Sequence, residues 1–235
     1  MLRYFFLILM LLHPVYNGDI SVNKVQSVAV VPFQVWGDIK QSKIFSHGLP
    51  DAISHRLSRV DNLIVLERIK LGEILQEIKL QECGLIPDAD LNKIGKLLKA
   101  DIIITATMYK VTRGIRFQLS GIQVSSGEIL FSILKYFTPD EFYDFSNLEY
   151  TISRSIVKAI RPDCNINTII KDKISGRSLD SIRMYAKGLY YLDRGENDKS
   201  KQCFLISTRD ESDDFWVEQV RREADKMFRE LNQED

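Results

Sequence analysis

The chain has 235 residues, of which 45% are hydrophobic, 10% are aromatic and 27% are charged. That length is enough for one domain of ordinary size plus a smaller unit, and the composition excludes an intrinsically disordered or fibrous chain. The 32 lysines and arginines balance the 32 aspartates and glutamates. Because there is no basic excess, nucleic acid is not expected as the main partner.

The first 18 residues have the pattern of a secretory signal peptide. Arg3 supplies a short basic start, and an unbroken run of apolar residues follows at 4–12. A helix needs about 20 apolar residues to cross a bilayer, so this run is too short to be a membrane span. We therefore predict a signal peptide over 1–18 and export of the chain. A buried core segment is the alternative interpretation.

Two strands and two helices are predicted in the first part of the exported chain. Residues 25–33 are apolar and β-branched and include a proline near their end, which is typical of a buried strand. A loop is predicted over 34–45, and apolar residues at helical spacing over 49–60 indicate the first helix. The second strand is predicted at 63–66, and the second helix has its apolar face at 71–78.

The next part of the chain supplies one more helix and three more strands. A short helix is predicted over 88–100, and an apolar third strand begins at 102. The fourth strand alternates apolar residues until its phase slips at Gly121, which predicts a β-bulge. A Ser-Ser-Gly turn at 125–127 then leads into a fifth strand over 128–137.

The fifth strand alternates so that Ile129, Phe131 and Ile133 are expected on one face. It is followed by Thr138-Pro139-Asp140-Glu141, a capping box with proline at the first helical position. The helix that it opens is predicted to continue to Ile160. The complete order is β-α-β-α-α-β-β-β-α, which predicts an α/β fold with a mixed β-sheet sandwiched by helices.

The sequence predicts two units after the signal peptide. The α/β domain covers residues 22–160, and the polar segment 161–177, which shows no sustained period, is interpreted as a linker. Residues 178–235 are predicted to form a small all-α tail, in which a helical hairpin is followed by a third, capping helix.

Two stretches resemble ligand-binding loops but lack essential residues. Asp88, Asp90 and Asn92 match the first ligand positions of a calcium loop, but lysines replace its turn glycine and its closing glutamate. A capped helix is therefore the better interpretation. Gly95-Lys96 could end a phosphate-binding loop, but Leu97 stands where a serine or threonine must contact magnesium. We expect neither site.

No group of residues has the spacing of a catalytic or metal site. His47 and His55 lie eight residues apart without a third ligand. No nucleophile-elbow, zinc-protease or cysteine–histidine signature occurs. We therefore predict no enzymatic activity, no catalytic residue, no metal and no cofactor. The sequence leaves two alternatives open for Cys83, Cys164 and Cys203, namely one disulfide with a spare thiol or three buried small hydrophobic residues.

A series of short motifs resembles the CsgG superfamily, which includes the curli secretion component, FlgO-like flagellar proteins, the LpoB activators and the N-terminal domain of TolB. The motifs occur in order as VAVVPF, LSRV, VLER, IGKLLKADIIITA and SSGEIL. They cover about residues 25–137. The resemblance implies an α/β sandwich in the bacterial envelope that acts through protein–protein contacts, and it transfers no catalytic role to any residue.

The tail resembles a single tetratricopeptide (TPR) repeat. Gly188, Tyr191 and Phe204 fall at positions of that repeat, whereas Lys187 replaces its usual leucine. One repeat cannot bury its apolar face alone, so the tail is expected to pack on the α/β domain, on a partner or on the third helix. A plain helical hairpin is the alternative.

These observations favour a non-enzymatic envelope protein, periplasmic or peripherally associated with the outer membrane, that acts as a scaffold or accessory component. Its partners are expected to be envelope proteins, and it could also form homo-oligomers. Large aromatic side chains are the candidate partner-binding residues: Tyr191, Phe204, Trp216 and Trp36. Two alternatives are a subunit of a curli-type secretion channel and an LpoB-like activator of a cell-wall synthase.

Overall fold

The computed structural model describes residues 26–66, 71, 88–164, 179–209 and 215–233. The predicted signal peptide and most of the predicted linker lie outside these residues. So does the predicted second helix, except for its buried Leu71. Cys83 lies outside them as well, whereas Cys164 and Cys203 are free thiols.

The centre of the fold is a six-stranded mixed sheet. Its strands are β1 (Gln26–Val30), β2 (Gln34–Trp36), β3 (Leu63–Val65), β4 (Ile102–Val111), β5 (Gly114–Gln123) and β6 (Ile129–Phe137). Five strands follow the order β3-β1-β4-β5-β6, and β2 pairs with β4. β1 is parallel to β3 and β4, and β2 is parallel to β4, whereas β4, β5 and β6 are antiparallel. The predicted α/β fold with a mixed sheet is confirmed.

Strand β2 lies where the sequence predicted a loop, so that prediction was wrong for residues 34–36. The Val31 N–H still donates to the Ile104 carbonyl at 3.0 Å, but Pro32 has no N–H to continue the ladder. The chain then pairs again with the same edge of β4, where Trp36 lies opposite Tyr109. The predicted first strand therefore ends before the proline, and a second short strand begins just after it, inside the predicted loop.

The helices cover both faces of the sheet and form the tail. A π-helical turn (Ile44–Gly48) leads into the first helix. The described α-helices are α1 (Leu49–Leu57), α2 (Asp88–Leu98), α3 (Pro139–Tyr143), α4 (Phe145–Ile160), α5 (Leu179–Leu192), α6 (Asn197–Ser207) and α7 (Phe215–Gln233).

The helix predicted from Pro139 to Ile160 is broken at Asp144. The capping box at its start is confirmed, with Thr138 and Glu141 in reciprocal hydrogen bonds. At Asp144, however, the backbone leaves the helical region (φ −75°, ψ 84°), and its carboxylate accepts from the Asn147 N–H at 3.0 Å. Asp144 therefore ends α3 and caps α4, because a side chain that bonds the backbone nearby competes with the continuing helix.

The bulge predicted at Gly121 is confirmed by a shift of register between Gly121 and Ile122 on β5. A Cβ at Gly121 would lie 2.1 Å from the Phe131 ring, so only glycine lets β6 pack there. Ile129 lies beyond the shift and is 64% exposed. The prediction that it shares one buried face with Phe131 and Ile133 was therefore wrong.

The tail packs on the α/β domain through α5. Tyr185 and Leu189 of α5 and Ala224 of α7 belong to the same hydrophobic core as the inner face of the sheet. At the contact, a Cβ on Gly48 would lie 3.0 Å from the Ala186 Cβ, so the two helical segments approach very closely. Of the packing alternatives for the tail, the structure contains both the contact with the α/β domain and the contact with the third helix.

Candidate interaction surface

Four large side chains form a row across four neighbouring strands. Trp36 of β2 is paired with Tyr109 of β4, Tyr109 with Arg116 of β5, and Arg116 with Tyr136 of β6. Directly paired residues point to the same face of a sheet. Their chain neighbours, such as Phe117, point into the main core. The row therefore lies on the opposite face, and we call these four residues the aromatic row.

The rings of the aromatic row are accessible. Trp36 is 45% exposed, Tyr109 37% and Tyr136 66%. Arg116 lies between the tyrosines, with its Cζ atom 5.8 Å from the Tyr109 ring centroid, which is a cation–π distance. Its Nε atom is buried and makes no hydrogen bond in the described part of the chain. The row thus combines exposed apolar area with a donor that is not satisfied.

The described residues that cover this sheet face lie away from the row. Helix α2 covers the end of the face near Ile103, where a Cβ on Gly95 would come within 2.9 Å of the isoleucine. The aromatic row lies at the other end of β4. Leu134, which is also exposed, extends the apolar area along β6, the last strand of the described sheet.

The composition of this surface is typical of a protein–protein contact. Trp, Tyr and Arg are the residues most enriched among interface hot spots. Of the four residues, only Trp36 was predicted from the sequence, because Tyr109, Arg116 and Tyr136 become neighbours through strand register. The available signal was strand alternation, which places Tyr136 on the face opposite Phe137.

The three candidate partner-binding residues of the tail lie in different environments. Tyr191 is half-buried at the junction between the tail and the α/β domain. Phe204 is completely buried, and its ring occupies the space over Gly188, where a Cβ would lie 2.4 Å from it. Trp216 lies in α7, and its side chain is outside the described part of the structure. Since Phe204 supports the packing of the tail, we leave it out of the candidate surface.

Of the two histidines that were considered as metal ligands, His47 has other partners. His47 is buried, with its Nε2 atom 3.3 Å from a carboxylate oxygen of Asp193 and its Nδ1 atom 2.7 Å from the Ser46 hydroxyl. Within the described ranges, no three His, Cys, Asp or Glu side chains are grouped closely enough to hold a metal ion. In the same ranges, no helix combines the length and apolar character needed to cross a membrane.

A comparison with protein families identifies the chain. The model described as "Curli production assembly/transport component CsgG" matches residues 9–132, which is over half of the sequence. The chain belongs to the CsgG family. This confirms the resemblance found in the sequence motifs, and membership supports an accessory or secretion-related envelope protein.

Solved structures similar to this CsgG-family chain have low sequence identity. The LpoB C-terminal domain from Salmonella enterica is 14% identical, with a TM-score of 0.40, over 50% of this chain and 86% of that one. The lipoprotein GNA1162 from Neisseria meningitidis is 16% identical, with a TM-score of 0.40, over 59% and 98%. TolB from Acinetobacter baumannii is 14% identical, with a TM-score of 0.38, over 60% of this chain but only 29% of its own. None of the curated proteins matches the sequence.

Proposed function

We propose that this CsgG-family chain is a non-enzymatic accessory component of the bacterial cell envelope that works by binding another envelope protein. The proposed organisation is a signal peptide over 1–18, the α/β domain over 22–160, a linker over 161–177 and the helical tail over 178–235. Export then delivers the chain to the periplasm or to the periplasmic side of the outer membrane. The family description, an assembly or transport component, supports such a role.

The aromatic row is the observation that carries this proposal. Three exposed rings on an open sheet face offer a large apolar contact area that loses little conformational entropy when a partner covers it. The guanidinium group of Arg116, whose Nε atom has no hydrogen-bond partner among the described residues, adds a charged donor group between Tyr109 and Tyr136. Each contact of this kind can contribute about 2 kcal/mol or more to the free energy of binding when a partner excludes water from it.

The chemistry of the row defines the kind of partner that it fits. The partner surface is predominantly apolar, to cover the rings of Trp36 and Tyr136, and carries one carboxylate that accepts from Arg116. The arginine lies between two rings, so its pairing with a carboxylate would be partly shielded from water. Such a charge-assisted bond gives orientation and specificity to the contact as well as affinity.

A site-specific photo-crosslinker tests this assignment in the native cell. The crosslinking amino acid replaces Tyr136 in one variant and Tyr143 in a matched control, because Tyr143 is an exposed tyrosine that lies on α3 rather than on the row. We expect Tyr136 to give a covalent adduct with an envelope protein and Tyr143 to give none. Equal adducts at both positions, or adducts only with cytoplasmic proteins, would contradict the proposal.

A ring-forming subunit of a transport assembly is the second candidate, because the family description includes transport. Native molar mass by light scattering, with and without detergent, distinguishes it from a soluble accessory protein. A large ring that requires detergent favours the channel subunit. An LpoB-like activator of a cell-wall synthase is a more specific form of the first proposal, and a synthase in the Tyr136 adduct would support it.

A further inference from the structure

Two tyrosines at the junction of the tail and the α/β domain are surrounded by positively charged side chains. Tyr190 and Tyr191 lie near the end of α5, with their ring centroids 5.5 Å apart. Four cationic groups lie between 3.9 and 5.9 Å from the centroid of one of these rings. These groups belong to Lys43, Lys187, Arg194 and Lys199, which we call the cationic cluster.

The cluster is assembled from separate parts of the chain. Lys43, at the start of the π-helical turn, has its Nζ atom 3.9 Å from the Tyr190 centroid and 5.2 Å from the Tyr191 centroid. Arg194, in the turn after α5, lies 4.6 Å from the Tyr190 centroid. The rings hold the cations near one another by cation–π attraction, but they do not neutralise the charge.

Two acidic residues near the cluster are each already paired. Glu196 forms an ion pair with Lys199, and Asp193 contacts His47 at 3.3 Å. No described acidic residue forms an ion pair with Lys43, Lys187 or Arg194, the other three members of the cluster. Glu196 also offsets part of the charge of Lys43, so the described junction sets four cations against the two carboxylates of Asp193 and Glu196 and keeps a positive excess.

The excess of positive charge acts on Lys43 itself. Burial lowers the pKa of Lys43, and the charges of Lys187 and Arg194 lower it further. Burial also raises the pKa of the Cys203 thiol, so that this group stays neutral and supplies no negative charge. An anion bound in the cluster would relieve the repulsion among the three cations.

We propose that the cationic cluster is a binding site for a phosphate group. One carboxylate would balance only one of the three unpaired cations, whereas a phosphate carries up to two negative charges and three or more acceptor oxygens. Arginine binds phosphate oxygens through two parallel N–H donors, and lysine binds them as a point charge. The phosphate could be free phosphate or part of an anionic lipid headgroup.

Titration calorimetry with inorganic phosphate and sedimentation with vesicles test this site. The vesicles contain phosphatidylglycerol and phosphatidylcholine, or phosphatidylcholine alone. The full chain is compared with Lys43→Gln and Arg194→Gln, and with Lys40→Gln as the matched control. Lys40 is an exposed lysine close to Lys43 in sequence, so its substitution changes the net charge equally but leaves the cluster intact.

We expect saturable binding by the full chain and by Lys40→Gln. Binding should be at least about tenfold weaker in Lys43→Gln and Arg194→Gln, because each of these variants loses a hydrogen bond to a charged group. Binding of inorganic phosphate assigns the site to free phosphate, and binding only to the anionic vesicles assigns it to a lipid headgroup. The proposal is overturned by a lack of binding to either probe, by equal binding of Lys40→Gln and Lys43→Gln, or by a preference for polyglutamate over phosphate.

A second measurement covers the case in which a cluster variant does not fold. Because the site joins the π-helical turn to α5, a bound phosphate stabilises the folded chain, and the Tm of the unaltered protein should rise with phosphate concentration. The rise should level off at millimolar phosphate, with chloride keeping the ionic strength constant, because the general stabilisation of proteins by phosphate does not saturate. If the Tm is the same in phosphate and in chloride, the proposed site is excluded, and no variant is needed for that conclusion.

Discussion

Arg56 of α1 and Glu149 of α4 form a buried ion pair, with 2.6 Å between the Arg56 Nε atom and the Glu149 Oε1 atom. The same carboxylate oxygen accepts from the Ser153 hydroxyl at 2.8 Å. Both charged side chains are removed from water, one on each of the two helices that cover the main core. The pair therefore fixes how α1 and α4 pack, and its effect on stability depends on whether one or both charges are removed.

Replacing Arg56 by Met should destabilise the protein strongly. The buried Glu149 carboxylate would lose its charged partner, and such changes cost roughly 3–5 kcal/mol in the free energy of unfolding. The double variant Arg56→Met/Glu149→Leu should recover most of that loss, because two apolar side chains can fill the space without a buried charge. Urea unfolding of the two variants measures both values.

The exposed pair Arg183–Asp180 on α5 is the matched control for this experiment. Its side chains are largely in solvent, so Arg183→Met should change the stability little. If Arg56→Met were as mild as Arg183→Met, the buried pair would not hold α1 against α4. If the double variant were less stable than Arg56→Met, hydrophobic replacement would not compensate for the pair.

Residues of the aromatic row, on the outer face of the sheet, should tolerate substitution better than residues of the buried inner face. Tyr136 and Phe137 are adjacent on β6 but point to opposite sides, and the tyrosine is exposed whereas the phenylalanine is buried. Tyr136→Ala should change the free energy of unfolding by less than about 0.5 kcal/mol, whereas Phe137→Ala should cost about 3–5 kcal/mol. Urea unfolding measures both, and equal losses would mean that Tyr136 belongs to a packed core.

The sequence allowed prediction of features that depend on adjacent residues. The capping box at Thr138 and the bulge at Gly121 were found because their signals lie within a few positions of each other. Strand β2 was missed because Trp36 becomes part of a strand only when it pairs with Tyr109, which is far away in the chain. Asp144 was missed for a different reason, since the apolar spacing on both sides of it fits one continuous helix.

The candidate surface was predicted only in part for the same reason. A large aromatic residue such as Trp36 stands out in any sequence. Its neighbours in the aromatic row are set by register across four strands, and no local pattern gives that register. The sequence did not distinguish Phe204 from Tyr191, since both are aromatic residues of the tail. In the structure, Phe204 fills the space over Gly188, whereas Tyr191 lies at the junction with the α/β domain. The TPR-like nature of the tail stays a prediction.

The capping box at Thr138 should make stability depend on pH through Glu141. The Thr138 backbone N–H, and then its hydroxyl, hold the pKa of the Glu141 carboxyl below its ordinary value of 4.5. A lowered pKa in the folded state means that the contribution is complete above the ordinary value and is lost as the pH falls through the lowered one. The Tm of the protein should therefore exceed that of Glu141→Gln at neutral pH, and the difference should shrink in acid.

A glutamate outside a capping box provides the control for this pH dependence. Glu128 is exposed and precedes β6, so Glu128→Gln makes the same chemical change as Glu141→Gln but leaves the capping box intact. Thermal melts of the three proteins between about pH 7 and pH 3 give the comparison. A Tm difference for Glu141→Gln that stays constant or grows in acid would contradict the role of the carboxylate.

Removing the hydrogen bond between Tyr185 and Asp51 should show how much this bond contributes to holding the tail on the α/β domain. The Tyr185 hydroxyl donates to an Asp51 carboxylate oxygen at 3.0 Å and joins α5 to α1 across a partly buried contact. Tyr185→Phe keeps the ring and removes the donor, so we expect a loss of about 1.5–3 kcal/mol in the free energy of unfolding. Tyr143→Phe, which removes the hydroxyl of an exposed ring, should have little effect in the same urea titration. If the two variants were equally stable, the tail would be held by apolar packing at Gly48 and Ala186 rather than by this bond.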